Sequence, residues 1–339
     1  MEKLIVNFFK EHNLILHKKR LVVAVSTGVD SMALLVSLLN LRDEYNLDIH
    51  IVHVNHMVRE QSNLEEEYIL SFGKKNKLSV HAMHLEHNEN INFQSYARTK
   101  RYGFFFNVMK EVKADYLLLA HHGIDNMETI IMRILRGSSL KGYAGIMPVQ
   151  EVEGFKILRP FLNILKDELI DYINLHKIKY YEDYTNNEEI YTRNRIRKDL
   201  IPVMFQEEKN AHLKFNEFSN VLLEASNVIE EKVNGIIGTF IRGEKSISFT
   251  INEFKKHSDY IKEEILFTIL KDYELSKANI LEIIKLIDSK KKNIKVEFKD
   301  SFTFVKEYDK IIILYYLTKP LVVDLEIDGT KSKIINDTI

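Results

Sequence analysis

The chain alternates short unbroken apolar runs with longer stretches whose apolar positions recur at helical spacing. Leu21 to Val25, Ile49 to Val54, Ser79 to His84 and Tyr116 to Ala120 read as strands. The Val-rich run at 21–25 suits a strand buried on both faces. Between these runs lie helical patterns over residues 2–16, from Asp30 onward, after Asn63 as a cap, over 93–112, and after His121-His122. Strands alternating with helices predict an α/β fold, a doubly wound parallel sheet. Ligands in such sheets bind at the carboxyl ends of the strands. The polar clusters of this chain fall at those ends or on the helices that follow.

The pattern changes near Pro202. Residues 203–234 read as one long helix of mixed charge. Residues 245–317 read as a small α+β unit, with strands at 246–251, 295–299 and 311–316 and helices through 259–288. The expected domains are therefore a catalytic domain at 1–200, a helical connector at 201–240 and a small C-terminal domain at 241–339. Lys290, Lys291, Lys292, Lys295 and Lys299 give that last unit a basic edge, either solvated or facing phosphates. Residues 321–339 are polar and expected to fray.

The first strand runs into Ser26-Thr27-Gly28-Val29-Asp30-Ser31 and then a helix. Such a turn presents backbone N–H groups at a helix N-terminus, where the dipole favours an anion. The plainer alternative is a tight turn capped by Asp30 or Ser26. It is not a common P-loop, because no Lys follows the glycine. His53, Asn55 and His56 close the second strand; two histidines alone do not make a metal site. Arg98 and Arg101 share a helical face next to Tyr102. Asp125 and Glu128 share another, with His121 one turn earlier. Two carboxylates and an imidazole suit Mg²⁺ beside phosphates, or a cationic substrate; acids satisfying the helix dipole are the alternative. Arg193 and Arg197 share a face that Arg195 does not.

Composition removes whole classes. Of 339 residues none is cysteine, which excludes disulfides, thiolate metal sites and a cysteine nucleophile. Net charge is −1, so any nucleic acid must be held by local patches. No apolar run reaches membrane-spanning length, and Glu2 with no cleavage signal reads as the start of an amphipathic helix. The expected location is cytoplasmic, with no membrane partner.

The 26–31 stretch resembles the Ser-Gly-Gly-x-Asp-Ser loop of N-type ATP pyrophosphatases, departing at Thr27, where the family usually has Gly. Thr27 then needs a permissive backbone angle or a use for its hydroxyl. In order along the chain follow His53-Val54-Asn55-His56, Ala97-Arg98-Thr99-Lys100-Arg101-Tyr102, Ala120-His121-His122 with Asp125 and Glu128-Thr129, and Arg136-Gly137-Ser138. Leu158-Arg159-Pro160-Phe161, Tyr181 to Asn186 and Arg193 to Arg197 complete the set. Over roughly the first 200 residues it resembles the tRNA(Ile)-lysidine synthetase family. Ile124 departs from the family's second Asp.

The resemblance implies a definite chemistry. ATP adenylates O2 of the wobble cytidine of a CAU-anticodon tRNA(Ile), and the ε-amine of free L-lysine displaces AMP. It implies a cofactor-binding set of Ser26, Thr27, Gly28, Val29, Asp30, Ser31, His53, Asn55 and His121. It implies catalytic roles for Asp30, Arg98, Arg101, Asp125, Glu128, Arg193 and Arg195, and Mg²⁺ on Asp30 and Asp125. Glu182, Asp183 and Asn186 would meet the lysine cation. A homodimer is compatible with it. The rivals are a tRNA thiolase, which needs the cysteine this chain lacks, and an inactive RNA-binding relative.

Overall fold

The computed structural model describes all residues except 56, 58–59, 86–92, 182–191, 274, 299–301, 316–322, 328–329 and 335–339. His56, Glu182, Asp183, Asn186 and Lys299 therefore lie outside the described residues. The chain divides into two compact units, Met1–Glu224 and Ala225–Ile339.

The first unit runs α1 (Glu2–Glu11), β1 (Arg20–Ala24), α2 (Val29–Tyr45), β2 (Asp48–Asn55), α3 (Glu60–Asn76), β3 (Ser79–His84), α4 (Phe93–Val112), β4 (Tyr116–Leu118) and α5 (Gly123–Arg136). It continues through α6 (Leu140–Tyr143), β5 (Val149–Val152), β6 (Phe155–Leu158), α7 (Lys166–Leu175), α8 (Thr192–Arg195) and α9 (Ile201–Glu207). The six strands lie in the order β3-β2-β1-β4-β6-β5, parallel except for β5. Alternate residues of each strand point to opposite faces, and both faces are covered. Leu21, Val23, Ile49 and Ile51 pack under α1, α2 and α7 against Phe8, Phe9, Leu34, Leu38, Leu169 and Ile173. Val22, Val52, Leu117 and Ile157 pack on the other side against Phe105, Phe106, Val108 and Met109 of α4. Burial on both sides is why these strands carry unbroken apolar runs.

Three expectations are corrected here, and one element had not been foreseen. The leading helix stops at Glu11 rather than residue 16, because Asn13 takes a left-handed φ of 52°. Asn63 lies inside α3 rather than capping it, and its Oδ1 accepts from Asn55. The hairpin β5–β6 was not expected; its turn, Glu153-Gly154, has both φ positive (52° and 80°), the geometry that joins twisted strands. The long helix expected at 203–234 is two helices, α9 and α10 (Ala211–Gly238). Glu208 is extended at φ −140°, and its carboxylate accepts the Asn210 N–H, so the chain breaks and restarts.

The second unit contains β7 (Ile241–Gly243), β8 (Ser246–Thr250), α11 (Ile251–Lys255), α12 (Asp259–Ile269), α13 (Lys277–Asp288), β9 (Asn293–Phe298), β10 (Phe302–Glu307) and β11 (Lys310–Tyr315). Its antiparallel sheet has the order β7-β8-β11-β10-β9 and packs on Phe254, Ile265, Leu266, Ile280 and Ile283. The unexpected strand β10 is interior, between β11 and β9. Its Lys306 is buried and donates to the carbonyls of Ile287 (2.8 Å) and Ser289 (2.6 Å), completing the C-terminus of α13. Of the basic edge, Lys290, Lys291 and Lys292 are exposed, while Lys295 pairs with Glu297 at 3.0 Å. The stretch expected to fray holds a hairpin, β12 (Val323–Ile327) with β13 (Thr330–Ile334). Among the described residues no helix is long and apolar enough to cross a membrane.

Candidate active site

At the carboxyl end of β1, Gly28 is the N-cap of α2, in extended conformation at φ −71° and ψ 162°. The turn is tied by its own hydroxyls. The Ser26 N–H donates to Ser31 Oγ (3.2 Å), and Ser31 Oγ donates to the Gly28 carbonyl (3.0 Å). Thr27, fully buried, takes a left-handed φ of 64°, and its hydroxyl donates to the Ser26 carbonyl at 2.6 Å. Both requirements raised by Thr in a glycine position are met: the backbone angle and a use for the hydroxyl. A β-branched residue there is strained.

A Cβ on Gly28 would stand 3.4 Å from Ser26 Oγ and 3.9 Å from the Tyr181 carbonyl, ordinary contacts. Neither the fold nor the backbone angle requires glycine. The bare position leaves the helix N-terminus open to an anion. Gly28→Ala is expected to change stability by less than about 0.5 kcal/mol, yet weaken ATP binding roughly tenfold or more, by about 1.4 kcal/mol. Thermal melts and ATP titration check this; a destabilised variant with unchanged ATP affinity would instead make the glycine a folding requirement.

His53 is buried at the end of β2. Its Nδ1 bonds the Val25 carbonyl at 2.8 Å, while Nε2 is buried without a partner. Burial lowers its pKa, so the ring is neutral with Nε2 as acceptor. The Asn55 side chain is engaged within the protein. It donates to Asn63 Oδ1 (3.1 Å) and Glu66 Oε2 (2.7 Å) and accepts the Met57 N–H (2.9 Å).

The second half of the site stands on α5. The His122 backbone N–H donates to Asp125 Oδ2 at 3.0 Å, closing the first turn. His122 Nε2 lies 3.6 Å from Asp125 and 3.9 Å from Asp30, so one imidazole nitrogen stands between the two carboxylates. Asp30 Oδ1 is buried without a partner. Burial raises the Asp30 pKa and the Asp125 charge adds to this, against His122, Lys166 and Arg197. Burial also pushes Asp125 up, but His122, Arg193 and His121 outweigh it and hold the group at about 2. Burial brings His121 down to about 4, so its imidazole is neutral, with Nδ1 unpartnered.

Glu128 is completely buried and held from two sides. Arg193 Nε donates to Oε2 and Arg197 Nε to Oε1, each at 2.5 Å, and Arg193 Nη2 also reaches Asp125 at 2.8 Å. The spacing of Arg193 and Arg197 on one face is realised, and Arg195 lies on an exposed position near Thr192. Arg197 sits in a π-helical turn, Ile196–Leu200, where the Ile201 N–H bonds the Ile196 carbonyl. Pro202 has no N–H to continue a regular ladder, which accounts for the widened turn. The acids and Asp30 are thus brought together with Arg193 and Arg197. Arg101 is a charged neighbour of His121; Arg98 is exposed and touches neither acid.

Sequence reasoning passed over His122 as the residue between the carboxylates, and Asn126. Asn126 is buried behind the acids: Oδ1 accepts the Ile146 N–H (2.6 Å), and Nδ2 donates to Asn216 (2.7 Å) and Ser219 (3.2 Å). A polar residue between Asp125 and Glu128 on the apolar side of an amphipathic helix was the available signal. Among the described residues no three metal-ligating side chains cluster. The unpartnered Asp30 oxygen beside Asp125 nevertheless fits Mg²⁺, which takes one or two carboxylates and completes its shell with water and phosphate oxygens.

Comparison with known proteins gives the family. A family model described as a PP-loop domain matches residues 1–204, which defines the class as PP-loop ATP-binding. The tRNA(Ile)-lysidine synthase of Bacillus cereus is 31% identical over 96% of this chain and 72% of its own length. A bifunctional TilS/HprT protein of Listeria monocytogenes is 31% identical over 91% of this chain and 50% of its own. Among solved structures, a U34-tRNA thiolase from Methanococcus maripaludis superposes with a TM-score of 0.55 at 15% identity, over 65% of this chain and 79% of that one; it supports the fold alone. The chain belongs to the tRNA(Ile)-lysidine synthase family, ligases that use ATP.

Proposed function

We propose that the protein joins free L-lysine to C2 of the wobble cytidine of a CAU-anticodon tRNA(Ile), with ATP cleaved to AMP and pyrophosphate. In this reading ATP first adenylates O2 of the cytidine, and the lysine ε-amine then displaces AMP. The N-terminus of α2 at Gly28 holds the pyrophosphate; Asp30 and Asp125 would hold Mg²⁺, which when bound would supply charge neutralisation. The observation that carries the reading is the unpartnered Asp30 oxygen, buried in the first turn of α2, with His122 Nε2 between the Asp30 and Asp125 carboxylates.

Glu128 acts in this scheme through Arg193 and Arg197, whose guanidiniums it fixes at the site. It has no unpaired oxygen with which to take a proton from an amine. A lysine amine, ordinarily near pKa 10.4, must lose its proton before attacking C2. Desolvation of the amine on entering the site lowers its pKa, and His121, neutral and with Nδ1 unpartnered, can hydrogen-bond and orient it rather than serve as a strong base. The exposed Lys290, Lys291 and Lys292 are assigned to the tRNA backbone. A thiolase reading would need cysteine ligands or a persulfide carrier, and the chain has no cysteine.

The test is incorporation of labelled lysine into CAU-anticodon tRNA. The expected result is ATP-dependent label in RNA, with AMP and pyrophosphate released in equal amounts. Pyrophosphate release without label in RNA would overturn the reading.

A further inference from the structure

Outside the acids and the α2 turn, the strongest unexplained feature is a group of arginines around Tyr102. Arg98 and Arg101 lie with their guanidinium carbons 4.9 Å and 5.9 Å from the Tyr102 ring centre. Arg159, which follows β6, is 4% exposed and lies beside Tyr102; its Nη1 donates to the Met147 carbonyl (2.8 Å) and its Nη2 to Gln150 Oε1 (3.0 Å), leaving the buried Nε without a partner. Arg133 of α5 donates to the carbonyls of Gly142 and of Gly145 (2.8 Å), holding the loop after α5. Arg98 is the charged neighbour shared by the other three. Among the described residues no carboxylate pairs with any of the four.

Resting on the function proposed above, we propose that Arg98, Arg101, Arg133 and Arg159 form a second anion site, which takes a backbone phosphate of the RNA substrate. Gathered positive charge without a counter-ion is costly, and the cost is relieved by an incoming anion. The pKa values of Arg101, Arg133 and Arg159 are lowered, burial first and Arg98 contributing, as expected of positive charge awaiting an anion.

The anion could come from ATP or from RNA. Arg101 and Arg159 are charged neighbours of His121, so the cluster borders the nucleotide site, and one observation favours RNA. Arg98 is exposed, and an arginine stacked on an aromatic ring is a common device for holding single-stranded RNA.

The test uses Arg98→Gln and Arg98→Glu in the full chain. Affinity for CAU-anticodon tRNA is measured over a salt series, alongside ATP affinity, thermal melting and wild-type lysine incorporation. Arg98→Gln should weaken tRNA binding roughly tenfold at low salt and reduce the log–log salt slope by about 0.7, with ATP affinity and melting unchanged. Arg98→Glu should weaken tRNA binding further. A fall in ATP affinity with an unchanged salt slope would assign the site to the nucleotide and overturn the proposal. Unchanged affinity for both would reduce the cluster to surface charge and equally overturn it. If the wild type incorporates no lysine while the slope still falls, the function reading fails and the RNA phosphate site stands.

Discussion

Asp30→Asn is expected to slow pyrophosphate release sharply while raising the melting temperature of the metal-free protein at neutral pH. The catalytic loss should be about 10²–10³-fold, the range seen when one partner of a developing charge is removed. The gain in stability follows from the direction of the Asp30 shift. Burial and the neighbouring Asp125 make its carboxyl hold a proton more tightly in the folded chain than in the unfolded one. The cost of Asp30 to folding therefore builds from the unfolded value of 3.8 up to its higher folded-state pKa and is constant above that. An amide in its place removes that cost, for a gain on the order of 1 kcal/mol, or roughly 2–4 °C. The advantage should vanish below the ordinary value of 3.8, where the acid is neutral in both states, and grow as pH rises past it. Melting curves with a chelator at several pH values, beside a pyrophosphate assay, check both halves. A lower melting temperature at neutral pH would make Asp30 a structural residue.

Glu128→Gln is expected to have the opposite balance, costing stability and activity together. The side chain is completely buried, and both of its oxygens accept from guanidiniums. An amide offers one acceptor and turns its own N–H groups toward like donors. Breaking a buried pair typically costs 3–5 kcal/mol. Arg193 and Arg197 are 41% and 35% exposed, so water offsets part of this, leaving about 2–3 kcal/mol, a melting loss of roughly 5–10 °C. Adenylation and lysine transfer should fall together as the arginines lose alignment, and raising the pH should restore neither. Accumulation of adenylated tRNA, rescued at high pH, would make Glu128 the amine base after all.

The parallel core was legible because burial on both faces forces unbroken apolar runs such as Leu21 to Val25. The arginine spacing at Arg193 and Arg197 was legible for a similar reason, since helical geometry alone brings residues four apart to one side. What escaped depended on distant partners. Strand β10 carries Lys306, which reads as solvent-facing until the C-terminus of α13 is found above it. The state of Glu128 was invisible because its acid–base availability is decided by residues 65 and 69 positions away along the chain. Thr27 was a departure on paper; only the backbone angle and the bond to Ser26 explain how it is accommodated.

The contacts of Asn126 bear on where the catalytic module can be cut. The family match ends at residue 204, but Asn216 and Ser219 lie beyond it and satisfy the buried Asn126 amide. Asn216 in turn donates to the Leu162 carbonyl and to Asn163. Gly123 approaches His212 so closely that a Cβ there would fall 2.9 Å from it. Excision at the homology boundary would strip the rear of α5 of its cover and leave a buried amide without acceptors, directly behind the acids. The smallest excised enzyme worth expressing therefore keeps the first turns of α10.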